Sequence, residues 1–468
     1  MARGSKGVLG LDIGSWAIKA VAVRGAGFTE NEAGERVPRI ELIGLPGVAM
    51  TPPGCVEGGE VISDEVSGNG DGSSKKPPTG ISLVAGTVGS LVKSLSMAAK
   101  PTVASVGGET SVVVRITEVS RMTGKELKEA VEWEIERQTP FPVDDAITSW
   151  VPIEPPDGDP DSPNMEVLLV VAQKELVNGH VQVVQSAGLS PEAIDVEPLA
   201  ISRALVDLPG GSMKDQTIAV VHMGASSTLI LVVRKGLLSF VRSVGTGGKA
   251  LSDSVKQNIL GEDKASEWTK HALADFSDAA YVDQGGVGAE GQYPADDDVF
   301  AEDGGDSVFE ESSLDADLDA GSQPVDMQGA ATQIDVPLPG EVELPPQSSG
   351  GSATAGEPMD PQETEARSIV YEALAPQVVD LATEVRRSID FYRRQHRNEE
   401  IDRIILSGGS AVMPGLTEFV QGETGVTTQL ANPFAHFSLG DDAPREYLTD
   451  IGPAMVVAVG LAVRDIVE

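Results

Sequence analysis

The chain has 468 residues, with 72 acidic against 34 basic side chains and a formal charge of −38. So acidic a surface repels phosphate backbones, which excludes general nucleic-acid binding, and a single cysteine, Cys55, excludes a disulfide framework and a cysteine-built zinc site. No segment offers the ~18 consecutive apolar residues that a membrane-spanning helix needs, and Asp12 breaks the short apolar stretch at the N-terminus, so a soluble cytoplasmic protein of roughly two to four domains is expected.

Val8–Ile13 is an apolar run that stops at Gly14-Ser15 and resumes as Ile18–Val23, the pattern of a hairpin turning on small residues. A polar Ser/Gly/Lys/Pro stretch at 67–79 reads as a flexible loop. Val112–Ile116 predicts another strand, and Thr123-Gly124-Lys125-Glu126 has the form of a capping box. That box opens a helix whose Leu127, Val131 and Ile135 share one face, with Trp133 read as an aromatic at the core edge. Met165–Ala172 predicts a buried strand and Glu175–Ala187 a helix ending at Gly188. Thr217–Val221 and Ser227–Val233 repeat the strand–turn–strand pattern, and the second turns at Arg234-Lys235-Gly236 into Leu237–Arg242.

Residues 271–366 hold 23 Asp and Glu and neither Lys nor Arg. Their apolar residues follow neither the helix nor the strand period, so they cannot bury enough surface to offset the entropy of ordering. The stretch reads as a disordered acidic insertion, and Val299-Phe300 and Val308-Phe309 within it resemble short docking motifs. Beyond it, Pro376 suits the first turn of a helix burying Val378, Leu381, Val385, Ile389 and Tyr392. The basic cluster Arg386-Arg387, Arg393-Arg394 and His396-Arg397 reads as its solvated face. Arg403–Leu406 predicts a strand and Pro453–Val467 the last helix. The mixture predicts an α/β protein of two similar halves.

Three turns carry the chemistry. In Leu11-Asp12-Ile13-Gly14-Ser15-Trp16-Ala17-Ile18-Lys19 a strand delivers a carboxylate, a small-residue turn follows, and a lysine sits on the returning strand. Such a turn lets backbone N–H groups approach a phosphate. Lys19 would neutralise phosphate charge, and Asp12 would hold a hydrated Mg²⁺ through its waters. Val221-His222-Met223-Gly224-Ala225-Ser226-Ser227-Thr228 repeats the arrangement. In Ser407-Gly408-Gly409-Ser410 paired glycines permit close backbone approach to a purine or ribose.

The three turns, in this order, resemble the phosphate-1, phosphate-2 and adenosine motifs of the superfamily that joins actin, the heat-shock chaperone ATPases and sugar kinases. Asp195-Val196-Glu197-Pro198-Leu199-Ala200 resembles its first connecting helix, and Asp450-Ile451-Gly452-Pro453-Ala454-Met455 to Gly460 the second. Val114–Val143, Val167–Leu205 and Ile389–Leu416 bring the likeness to the PilM family of actin-like pilus-assembly proteins, with the family's Pro-Phe-Pro ending at Pro140-Phe141-Pro142. Other members of the fold, division-type actin homologues of the FtsA kind and type II secretion L-type adaptors, carry a membrane-binding helix or span that is not read here, and a sugar kinase needs a base carboxylate where His222 stands.

The resemblance implies an α/β, actin-like (ribonuclease H-like, duplicated) two-lobed ATPase fold with a small inserted subdomain and the disordered acidic insertion. It places a first lobe over 1–110, the inserted subdomain over 111–190 and a connecting helix over 191–210. The second lobe follows over 211–270 and 367–468, around the insertion at 271–366. By motif, Gly14, Ser15, Trp16 and Lys19 hold phosphate, with Asp12 at the metal. Gly224, Ala225 and Ser226 form the opposing phosphate loop, and Gly408, Gly409 and Ser410 the adenosine side. The implied cofactors are ATP or ADP and Mg²⁺. The implied partners are the cytoplasmic N-terminal tail of a PilN-like inner-membrane protein and the pilus platform and motor ATPase proteins, with a homodimer left open. The implied place is the cytoplasmic face of the inner membrane, reached through that partner. One departure stands out: the superfamily has aspartate at the position of His222. An imidazole of ordinary pKa brings no negative charge to a metal at pH 7, and losing a positioned acid–base group costs ~10²–10⁴ in rate, so weak or absent hydrolysis is expected.

Overall fold

The computed structural model describes residues 7–30, 36–63, 79–97, 101–154, 159, 161–208, 213–258, 361–397, 399–440 and 443–467. Most of the 67–79 loop, the acidic stretch as far as residue 360 and both of its Val-Phe motifs lie outside them.

Six strands form the first sheet: β1 (Val8–Ile13), β2 (Ala17–Glu30), β3 (Arg36–Leu42), β4 (Gly47–Met50), β7 (Pro101–Val106) and β11 (Ser190–Val196). A two-stranded ribbon, β5 (Val56–Glu57) and β6 (Glu60–Val61), lies between β4 and β7 in the chain. The order is β11-β7-β1-β2-β3, with β4 on the first half of β2. β1 pairs antiparallel with β2, from Val8 opposite Val23 to Ile13 opposite Ile18, and parallel with β7. The second sheet repeats this plan with β12 (Thr217–Met223), β13 (Thr228–Arg234), β14 (Leu237–Val244), β15 (Arg403–Ser407) and β16 (Thr428–Leu430), ordered β14-β13-β12-β15-β16. Its central β12 is antiparallel to β13 and parallel to β15. Both central strands are covered on both faces, which is why they read as continuous apolar runs. In β1, Leu9, Leu11 and Ile13 pack with residues of α1 (Gly80–Ser94) and α3 (Lys174–Ser186). In β12, Ala219, Val221 and Met223 join one core while Ile218 and Val220 join the other.

The third sheet, β8 (Val112–Ser120), β10 (Asn164–Gln173) and β9 (Ala146–Ile153) in that order, is the inserted subdomain. On it lies α2 (Gly124–Gln138), whose Leu127, Val131 and Ile135 pack against Val167, Leu169 and Val171. Between α4 (Glu197–Ser202) and β12 a single π-type turn covers Arg203–Asp207. The second lobe carries α5 (Gly248–Asn258), α6 (Pro361–Gln395), α7 (Leu416–Thr424), α8 (Arg445–Ala462) and the short α9 (Arg464–Val467). α8 packs on β1 and β2 of the first sheet and crosses α4, so the two lobes meet along these helices.

Several expectations are corrected. Thr123 stands at the N-cap of α2, but its side chain makes no cap hydrogen bond. Gly124 follows it at φ +63°, and that left-handed step replaces the capping box. Trp133 is no core-edge residue: its side chain is 60 % exposed, with the Arg137 guanidinium 5.2 Å from the ring centroid. Trp133→Ala is therefore expected to shift the urea midpoint by less than about 0.5 kcal/mol equivalent, and a loss above about 2 kcal/mol would show buried packing.

Both prolines read as helix starts lie inside helices. α6 begins at Pro361 and takes in residues 361–366 of the acidic stretch, while α8 begins at Arg445. A proline inside a helix removes one backbone bond, and here packing outweighs that loss. Val370, Ala373 and Leu374 precede Pro376 in the core, and Leu448 precedes Pro453. The helix expected within 191–210 starts at Glu197, after β11 has paired with β7. Three arginines of the basic cluster on α6 are ion-paired, Arg386 with Glu423, Arg387 with Glu384 and Arg393 with Asp390. Among the described residues no helix is long and apolar enough to cross a membrane.

Candidate functional site

The β1–β2 and β12–β13 hairpins turn in the same way. Gly14 N–H donates to Ala17 O at 3.1 Å, and Gly224 N–H to Ser227 O at 3.0 Å. Thr51 braces the first turn by donating its hydroxyl to Gly14 O at 2.7 Å. Ser15 sits at the tip of that turn, and Trp16 leaves its indole 43 % exposed beside it. Asp12 and Lys19 are register partners, and the Lys19 ammonium reaches Asp12 Oδ2 at 2.9 Å.

The second turn is built on α5. Gly248 N–H donates to Gly224 O at 2.9 Å and Lys249 N–H to Ala225 O at 2.8 Å, which docks the helix N-terminus against Gly224-Ala225-Ser226. Ser410 Oγ lies directly against Gly248, so the third turn closes onto the same place. Gly408 has φ +94° and gives its N–H to Pro453 O at 2.7 Å. A β-carbon there would collide with Met223 O, so only glycine lets the third turn lie on the end of β12. Gly409, next to it, faces open space.

His222, the last residue but one of β12, is buried, with Nδ1 3.0 Å from Ser407 Oγ. Burial first, then the nearby Lys19 ammonium, push its pKa down to about 4, and Asp12 opposes them. The imidazole is therefore uncharged at neutral pH. Asp12 and Lys19 of the first hairpin are thus near enough to His222 of the second to act on its charge.

Two contributors were not singled out as site residues. Glu197, the first residue of α4, looks toward the same pair. Burial raises its carboxyl to about 7, Asp12 adds to the rise and Lys19 offsets part of it. Its signal was available in Glu197-Pro198 at the head of a connecting helix. Gly247-Gly248-Lys249 was the other, a paired glycine ahead of a helix. The folded pKa of Glu197 lies above its unfolded value, so the folded chain holds its extra proton most fully below that value. Stability falls as pH rises through about 7. Glu197→Gln, which mimics the neutral acid, is therefore expected to raise the melting midpoint by a few degrees at pH 8 and leave it nearly unchanged at pH 5. Equal shifts at both pH values would contradict this.

The arrangement suits a polyanion. The first N–H groups of α5 are taken up by the second turn, but the N–H groups of Ala225 and Ser226 give no backbone hydrogen bond among the described residues. The Lys19 ammonium supplies positive charge, and the Ser407–Ser410 turn leaves room at Gly409. For a divalent ion the donors are fewer: Asp12 is ion-paired to Lys19 and Glu197 titrates near neutrality. No group of three or more metal-binding side chains gathers among the described residues. Mg²⁺ reached through water needs only one or two carboxylates besides phosphate, so Asp12 fits that role.

Beside the inserted sheet runs a groove of about 540 Å³. Phe141, Pro142 and Asp145, at the entry to β9, line one wall, and Lys174, Asn178 and Gly179 of α3 the other.

Comparison with known proteins fits this architecture. The chain superposes on a chain of the PilM-PilN type IV pilus biogenesis complex with a TM-score of 0.64 and 21 % identity, covering 98 % of each. Weaker likenesses are to the ethanolamine utilization protein EutJ from Carboxydothermus hydrogenoformans (TM-score 0.42, 14 % identity, 98 % and 89 % covered) and to MreB5 of Spiroplasma citri bound to ADP (0.39, 10 %, 99 % and 97 %). The fold is actin-like. A family model described as type IV pilus assembly protein PilM matches residues 75–274 and 361–466. The chain therefore belongs to the PilM family of type IV pilus assembly proteins.

Proposed function

We propose that this chain is a nucleotide-holding adaptor of the pilus assembly machine. It binds ATP or ADP between the two hairpin turns, and Asp12 holds Mg²⁺ through water. It takes the N-terminal cytoplasmic tail of a PilN-like inner-membrane protein in the groove between the segment ahead of β9 and α3, which keeps it at the inner face of the membrane. Through that contact it links the tail to the platform and motor ATPase proteins. The lobes at 1–110 and at 211–270 with 367–468, and the subdomain at 111–190 that carries both named groove walls, are the parts of this reading.

The observation that supports the nucleotide half is the pair of like turns, Gly14–Ala17 and Gly224–Ser227, with Lys19 of the first near enough to His222 of the second to act on its charge. The partner half rests on family membership and on the groove, whose walls mix apolar and polar side chains as an extended peptide requires. Gly179 tests it. A β-carbon there would meet only Val61, at 3.9 Å, so a long side chain fits the fold and fills the groove. Gly179→Arg is expected to weaken binding of a synthetic PilN-like tail peptide by ~10-fold or more, with the melting midpoint kept. Unchanged peptide affinity would move the partner site elsewhere.

A further inference from the structure

The two halves of the molecule repeat one hairpin, and their differences show what each half contributes. In the first, Asp12 stands two residues before Gly14 and pairs in register with Lys19. In the second, His222 stands two residues before Gly224 and pairs with Leu229. The second half thus offers no carboxylate and no ammonium at the matching place.

The tautomer of His222 follows from its neighbour. Ser407 is fully buried, and its hydroxyl has His222 Nδ1 as its one hydrogen-bond partner among the described residues. If Nδ1 carried the proton, the serine O–H would be left without an acceptor, at the cost of desolvating it unpaired. Ser407 therefore donates to Nδ1, and the ring hydrogen sits on Nε2. That nitrogen has no partner among the described residues and is not sealed off, since no His222 atom is among the buried polar atoms left unsatisfied. Charged groups face the ring from two elements, Asp12 on β1 and Lys19 on β2, while Ser407 on β15 and Leu229 on β13 are neutral.

Around it the second half presents donors. The N–H groups of Ala225 and Ser226 give no backbone hydrogen bond among the described residues, while the first N–H groups of α5 fix the turn by donating to Gly224 O and Ala225 O. On a phosphate oxygen an N–H bond to a charged acceptor is among the stronger kinds. A carboxylate at position 222 would need a cation between itself and the same oxygen.

We propose that His222 donates its Nε2–H directly to a phosphate oxygen of the nucleotide, so that the site holds a nucleoside diphosphate or triphosphate without needing a divalent cation. This rests on the nucleotide reading above. Asp12 can still collect a hydrated Mg²⁺, but the ion adds to binding and is no condition for it.

The experiment is ADP binding by calorimetry to the full chain, in excess EDTA and in Mg²⁺, for wild type and for His222→Asp, His222→Gln and His222→Leu. Wild type is expected to keep its affinity in EDTA to within ~3-fold of that in Mg²⁺. His222→Asp is expected to lose ~10-fold or more in EDTA and to recover with Mg²⁺. His222→Gln, whose amide can still donate, should stay within ~3-fold of wild type. His222→Leu removes the donor without adding charge and should lose ~10-fold in both buffers, which keeps the test open if the aspartate variant does not fold. Wild-type binding that disappears in EDTA, or an aspartate variant as tight as wild type there, overturns the proposal while leaving nucleotide binding intact. No ADP binding by wild type in either buffer removes the nucleotide reading itself.

Discussion

Lys19→Ala is expected to weaken ATP binding by ~100-fold or more and to destabilise the empty protein by about 3 kcal/mol. Both effects come from one contact. The Lys19 ammonium is 2.9 Å from Asp12 Oδ2, with the two side chains 18 % and 6 % exposed. Removing the cation leaves a buried carboxylate alone, which costs more than the pair gains over apolar residues of the same shape. The same cation also acts on His222 beside the second turn, so phosphate loses a countercharge there. The two consequences separate in the double variant Asp12→Asn/Lys19→Met. It has no stranded charge and should recover most of the stability while still failing to hold ATP. Urea unfolding and equilibrium dialysis on the same three proteins check this. ATP affinity unchanged in Lys19→Ala would take the phosphate site away from the first turn.

Gly460→Val is expected to cost about 3 kcal/mol or more, or to prevent folding. α8 crosses α4 at this glycine, and a β-carbon there would collide with the carbonyl of Ala200. Neither helix can step aside. The Arg203 guanidinium spans from Gly460 O, at 3.2 Å, to Asp195, at 3.1 Å, and both of its partners are largely buried. Arg464 adds a second cation 3.7 Å from Asp195. Two residues earlier, on the other side of the helix, the backbone of Ala458 lies on Gly10 of β1, so displacing α8 would also disturb the strand that carries Asp12. Gly460→Ala is the milder form and should lose more than about 1 kcal/mol in urea unfolding. A loss near zero would mean that the crossing has slack.

The sequence made visible what depends on near neighbours. The two hairpins are legible because an apolar run, a small-residue turn and a second apolar run lie within one short window. The face of α2 is legible because Leu127, Val131 and Ile135 repeat at helical spacing. Short strands such as β4 to β6 give too few residues to show a period. Pro376 and Pro453 read as helix starts because local chemistry favours them there. Contacts made by Val370, Leu374 and Leu448 with distant strands decide otherwise. The site divides in the same way. Its three turns stood out by composition, but the bond between His222 and Ser407 joins residues 185 positions apart. The approach of Glu197 to Asp12 and Lys19 likewise exists only once α4 has been laid against the first sheet. Spacing alone marks His222 as the odd residue in a repeated motif. Only the fold shows that one ring nitrogen is engaged by Ser407.

The most direct measurement of the central claim follows ATP and its fate together. Purified full chain is mixed with labelled ATP and Mg²⁺, and retained nucleotide and released phosphate are scored in the same sample. The account predicts close to one nucleotide retained per chain with no sustained phosphate release, because the second turn carries an uncharged, weakly basic His222 in place of a carboxylate. Nucleotide that fails to stay on the wild-type chain would contradict it and leave the actin-like frame as a scaffold for partners alone.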